Sequence, residues 1–138
     1  MRARGCRAVA ALALLAALLS GCASIVDPLE RQIVESDARD VTSVQGYLIG
    51  DEVGARELVE RWEALAERMR ERPGFVRARL GRGTAGSRLW LASSEWRDAR
   101  ALRDAFSDAK VLALEAAMPD RLFGHLYERV ASRSASAR

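Results

Sequence analysis

Leu58, Trp62, Leu65 and Met69 recur at the spacing that brings four apolar side chains to one face of a helix. Glu57, Glu60, Glu63 and Glu67, with Arg61, Arg68 and Arg70, supply its wet side, and Pro73-Gly74 stops it. A helix is therefore predicted over about residues 54–72. Before it, Val41 to Gly50 is β-rich and ends in the turn pair Gly50-Asp51. After it, Phe75 to Leu80 forms a strand, Gly81–Gly86 a turn with three glycines, and Arg88 to Ser94 the returning strand of a hairpin. A second helical stretch starts near Asp98 and ends at Met118 before Pro119, with a break expected around Ser107-Asp108. His125 to Val130 is the last strand. The order β-α-β-β-α-β predicts an α+β fold of the ferredoxin-like kind, a four-stranded antiparallel sheet with two helices on one face, spanning residues 41–131.

The two ends of the chain depart from this pattern. Arg2, Arg4 and Arg7 precede an unbroken apolar run over residues 8–19. Twelve residues at about 1.5 Å each reach only about 18 Å, short of the roughly 30 Å hydrocarbon core, so a secretory leader is expected rather than a membrane span. Leu19-Ser20-Gly21-Cys22 resembles the lipobox of bacterial lipoproteins. That resemblance implies a signal peptide over residues 1–21 and a lipid-modified Cys22, its added chains (palmitate among them) acting as the membrane anchor. The expected location is the cell envelope, with the outer membrane facing the periplasm favoured in a Gram-negative organism, because Ala23 follows the cysteine where an aspartate would signal retention. Residues 22–40 are taken as a tether. Within it, residues 29–38 read as a short helix with Leu29, Ile33 and Val34 on one face, for which a docking arm is the alternative role. Residues 132–138 hold no apolar side chain larger than alanine and are expected to be disordered.

Composition removes several functions. The chain of 138 residues carries 22 basic and 19 acidic side chains, but all three basic residues of the leader would be lost with it, leaving the two signs balanced. A neutral domain lacks the field that gathers phosphates, so no nucleic-acid partner is expected. One histidine, two cysteines and no asparagine leave no metal site to expect and no disulfide framework.

Pro73-Gly74-Phe75 leading into the second strand, Ser94-Glu95-Trp96 closing the third, Ala99 and Leu102 opening the second helix, and Leu126-Tyr127-Glu128 in the last strand carry a further resemblance. Together, Val44 to Val130 resembles an antibiotic biosynthesis monooxygenase (ABM) domain of the dimeric α+β barrel superfamily. The resemblance implies a homodimer paired sheet to sheet, with a pocket between each sheet and its helices. It also implies two chemistries: cofactor-free oxidation of polycyclic phenols, and haem degradation with a histidine on the second helix. Both families of enzymes use asparagine, which this chain lacks. Counted from Ser94-Glu95-Trp96, the haem enzymes' tryptophan falls on Asp104 or Ala105 and their histidine on Leu114 or Glu115, which disfavours haem; no cofactor is expected. Trp62 and Trp96 are read as core.

The remaining candidates sit on strands. Arg77 and Arg79 share one strand face, as do His125, Tyr127 and Arg129 on theirs, and Tyr47 and Trp90 are candidates to join them. One reading is a pocket in which arginine holds an anionic or phenolate oxygen while His125 moves a proton. The other is a polar barrel lining, or inter-subunit ion pairs with Glu128 and Glu95. The preferred function is an anchored ABM-like domain that binds a small hydrophobic or aromatic ligand, or serves as a structural or interaction module, without catalysis. The alternative is a cofactor-independent monooxygenase acting on an aromatic substrate. An open cavity lined by Arg77, Tyr127 and His125 would favour the enzyme, and a closed, filled one the non-enzyme.

Overall fold

The structure, a computed structural model, describes residues 28–134; the leader, Cys22 and residues 135–138 lie outside it. The order of elements is α1 (Leu29–Glu35), β1 (Arg39–Leu48), α2 (Glu52–Arg70), β2 (Phe75–Arg82), β3 (Leu89–Asp98), α3 (Ala99–Phe106), α4 (Ala109–Ala116) and β4 (Phe123–Glu128). The strands form one antiparallel sheet in the order β2-β3-β1-β4, the ferredoxin-like topology. No described helix is long and apolar enough to cross a membrane.

Local chemistry sets the helix ends. The Asp51 carboxylate accepts from the Gly54 amide at 2.7 Å, which starts α2 two residues ahead of the expected Gly54. Asp98 caps α3 the same way through the Ala101 amide at 2.8 Å. The break at Ser107-Asp108 is real. Asp108 accepts from the Lys110 and Val111 amides at 3.1 Å each and is gripped by Arg68 at 3.0 Å and Arg72 at 3.2 Å, which ties the restart of the helix to α2. Gly74 has φ +83°, and a Cβ there would stand 2.4 Å from the Ala101 Cβ, so the turn into β2 needs glycine on both counts.

The strands differ from the expected limits. Trp96 pairs with both Val41 and Phe75, so β3 runs on to Asp98 and Ser94-Glu95-Trp96 lies inside the strand rather than closing it. β4 starts at Phe123, because Gly46 gives it a partner two residues before His125.

Most of the core lies between the sheet and α2, α3 and α4. Trp96, Leu102, Val41 and Val111 are fully buried at one end of it, and Tyr47 and Leu58, beside the buried Trp90, at the other. The stretch expected as a tether also contributes. Leu29 and Ile33 pack into the first cluster, although Val34, expected on the same face, is exposed. Gln32 Oε1 accepts from the Leu126 amide at 2.9 Å and so covers part of the outer edge of β4. Arg103 donates to the Ile33, Val34 and Ser36 carbonyls at the end of α1. From Leu29 onward the segment is docked on the domain.

Candidate functional site

Strand alternation gives each sheet residue one of two faces, and the register decides which residues meet. On the face covered by α2, α3 and α4, Ser43 lies opposite Ser94, Gln45 opposite Ala92, and Tyr47 opposite Trp90. On the open face, Thr42 lies between Glu95 and Tyr127, Val44 opposite His125, Arg77 opposite Glu95, and Arg79 opposite Ser93. The six candidates therefore divide. Tyr47 and Trp90 belong to the covered face, while Arg77, Arg79, His125 and Tyr127 belong to the open one, and the expected single pocket does not form.

The open-face candidates behave as a polar surface. Glu95 accepts from Arg77 Nε at 2.6 Å and from Arg129 Nη2 at 2.8 Å. The Arg77 hydrogen bond, with the nearby charges of Arg77, Arg129 and Arg79, holds the Glu95 carboxyl below the usual range against a smaller effect of burial. The ion pairs expected for Glu95 between subunits form here within one chain. His125 Nδ1 lies 3.2 Å from Gln32 Oε1, and its ring centre is 5.8 Å from that of Tyr127. Tyr127 is half exposed. Trp90, on the other face, is buried beneath the Arg82 guanidinium, 5.4 Å from its ring centre.

A different constellation occupies the covered face. A cleft lies between the middle of β1 and β3 and the three helices that cover them, with Trp62, Leu65, Met69, Phe106 and Met118 as its apolar wall. Ser43, Gln45, Tyr47, Ser94 and Glu115 form the polar one. The enclosed part, measured for the centre of a water-sized sphere, is about 20 Å³, and the whole cleft out to its mouth about 310 Å³. The first is room for one water; the second includes open solvent at the mouth.

The polar wall is ordered by hydrogen bonds. Tyr47 donates its hydroxyl to Gln45 Oε1 at 2.7 Å, and Ser94 Oγ accepts from Trp96 Nε1 at 2.9 Å. Burial pushes the Tyr47 phenol well above its ordinary value, and the neighbouring Glu115 adds to the effect, so Tyr47 stays a donor. Burial likewise raises the Glu115 carboxyl, although Arg121 and the Gln45 amide pull it back. Glu115 Oε1 lies 3.6 Å from Arg121 Nη1, while Oε2 is buried with no hydrogen-bond partner. No described group of His, Cys, Asp and Glu side chains is placed to hold a metal.

Of this cleft, Tyr47 alone is among the candidate site residues read from the sequence, with Trp62, Leu65 and Met69 placed on the apolar stripe of the first long helix. Two signals pointed to the rest. Ser43, Gln45 and Tyr47 follow Val41 at period two, placing polar groups on an otherwise apolar face, and Glu115 is the one acid in the apolar stretch 109–119. Glu115 also stands at one of the two positions onto which the haem enzymes' histidine maps. The cleft has room for about one water and is not lined by Arg77, Tyr127 and His125.

Comparison with known proteins adds the following. The family described as antibiotic biosynthesis monooxygenase matches residues 44–116. No curated protein matches the chain. Among solved structures, a variant of SnoaB, a cofactor-independent oxygenase from Streptomyces nogalater, superposes with TM-score 0.61 at 22% identity, covering 69% of this chain and 97% of that one. A conserved protein from Methanosarcina mazei gives 0.58 at 10% identity over 67% and 94% of the two chains. A protein of Mycobacterium tuberculosis gives 0.58 at 13% over 69% and 99%. At these identities the likeness speaks to the fold.

Proposed function

This chain belongs to the antibiotic biosynthesis monooxygenase family, and from that premise we propose that its covered cleft binds a small hydrophobic or aromatic ligand. The observation that carries the reading is the division of the lining. Trp62, Met69, Phe106 and Met118 offer flat and adaptable apolar surface, while Gln45, Tyr47 and Glu115 offer a few placed polar groups. Titrating the full chain in detergent with a panel of phenols and unsubstituted aromatics, followed by tryptophan emission, tests it. Saturable changes are expected for some members of the panel; a flat response to all of them would remove the reading.

A second reading is a cofactor-independent oxygenase acting on an aromatic substrate. It is favoured by the likeness to SnoaB and by a buried carboxyl able to exchange a proton with a bound hydroxyl. Oxygen uptake dependent on the bound aromatic would select it over simple binding.

Two further proposals concern setting. The lipobox-like Leu19-Ser20-Gly21-Cys22 after an arginine-led apolar run supports a lipid anchor at Cys22 and a place in the cell envelope, on the outer membrane facing the periplasm in a Gram-negative host. Cys22→Ala should abolish partition into the detergent phase, and a variant that still partitions like the parent would refute the anchor. Leu48, Leu91 and Tyr127 are about half exposed on the open face, which supports a homodimer paired through it. Sedimentation should return twice the chain mass, and a monomer at high micromolar concentration would count against pairing.

A further inference from the structure

Helix α1 lies outside the residues that carry the family match, yet it is fastened to the domain along its whole length. Leu29 and Ile33 are buried in the core, and a Cβ on Gly124 of β4 would stand 3.1 Å from Leu29, so the two backbones approach closely. Gln32 takes the Leu126 amide at 2.9 Å, and Arg103 closes the far end of the helix on three carbonyls. The near end is held by Glu30, whose carboxylate pairs with Arg121 in the loop before β4. Pro28, the residue before α1, stands six positions after Cys22, so a pull on the N-terminal segment reaches α1 before any other described element.

Arg121 serves two carboxylates at once. Its Nη2 goes to Glu30, while its Nη1 stops 3.6 Å from Glu115 Oε1 in the wall of the cleft, outside hydrogen-bond range. Glu30 is 65% exposed and Glu115 only 17%, so the arginine gives its better contact to the more hydrated partner. The apolar seat of Leu29 explains this, because it brings Glu30 to the guanidinium. With α1 lifted, that hold is gone, and a shift of roughly 0.5 Å brings Nη1 into range of Glu115.

We propose that α1 is a strap whose seating decides which carboxylate Arg121 holds: Glu30 while α1 is docked, and Glu115 of the cleft wall once α1 lifts. One guanidinium then couples the N-terminal segment to the cleft, and the coupling is reciprocal. Lifting α1 gives Glu115 a full partner; a Glu115 without charge removes the contact that favours lifting and keeps the strap seated. The coupling lies within the chain and stands apart from the reading of the cleft as a site for aromatic molecules.

The test is hydrogen exchange at the Leu126 amide in the full chain in detergent, taken as a ratio to the Leu91 amide. Leu91 lies in β3 between β1 and β2 and reports general opening of the sheet. Glu115→Gln should slow Leu126 against Leu91 by about 1.4- to fivefold, the size of one partly exposed ion pair. A residue that only stabilised the domain would move both amides together. The same substitution should leave the ratio unchanged in Glu30→Gln and in Arg121→Gln, since the first removes the competing contact and the second the shared guanidinium. Melting transitions show which variants are folded, and either background alone decides the matter. A ratio that stays the same or moves toward faster Leu126 exchange in Glu115→Gln overturns the strap, as does an effect that persists in either background.

Discussion

On the open face of the sheet, Glu95 is held by Arg77 and Arg129, and water reaches both arginines. Under the helices, Glu115 has one arginine at 3.6 Å, the Gln45 amide beside it, and one oxygen with no partner among the described residues. Both carboxyls lie beside the same β1 strand with side chains about equally covered, 13% and 17% exposed, and their partners separate them. Pairs with half-exposed arginines contribute little to stability, while a covered carboxyl that is incompletely paired weakens the fold. The fully paired carboxyl belongs to the polar surface, and the other lines the cleft.

The largest expected effect sharpens the contrast between a dry surface and a wet one. Trp96 is fully buried on the covered face, edge-on to Phe75 with ring centres 5.3 Å apart. Trp96→Ala should cost about 3–5 kcal/mol in denaturant unfolding. A loss below about 1 kcal/mol would mean that the covered face does not carry the core.

The next effect has the opposite sign. Because burial raises the Glu115 carboxyl in the folded state, folding favours its protonated form. Its contribution is fully present below the ordinary glutamate range and is lost as pH rises through the raised folded value. Glu115→Gln should therefore match the parent in acid and melt at a higher temperature near neutrality, the pattern of a residue kept for function at a cost in stability. A variant less stable than the parent at neutral pH would make Glu115 a structural residue after all.

The smallest effect is on the open face. Glu95 is lowered, first by the Arg77 hydrogen bond, so its contribution is present above the ordinary glutamate value and lost as pH falls through the lowered folded one. Arg77→Ala should cost only about 0.2–1 kcal/mol at neutral pH, less at high salt, and leave ligand titrations unchanged. A drop in aromatic binding would return Arg77 to the site and erase the distinction between the faces.

Which of these residues were legible beforehand follows from the range of the forces involved. The stripe Leu58, Trp62, Leu65 and Met69 announces α2 because helix periodicity is local, and the break at Ser107-Asp108 is visible because an aspartate after a serine is itself a capping signal. The grouping of Arg77 with Arg79 and of His125 with Tyr127 is likewise a property of single strands. Docking of α1 is less visible: Leu29 and Ile33 look apolar, but only Gln32 on β4 and Arg103 on the α1 carbonyls turn a tether into part of the domain. Those contacts join residues about 70 to 94 positions apart.

Sequence alone determined the order of elements, the ferredoxin-like topology and the family, because each follows from short-range pattern, capping and turn chemistry. Tertiary structure decided the site. Parity along a strand says which residues share a face, but only the register of β1 with β3 and β4, and the side on which the helices settle, says which face is dry. That choice put Tyr47 beside Gln45 and Glu115, sent Arg77 and His125 to the opposite surface, and left one carboxyl oxygen without a partner. Desolvation depends on what packs above a residue, and a linear sequence holds that information only through contacts it makes at a distance.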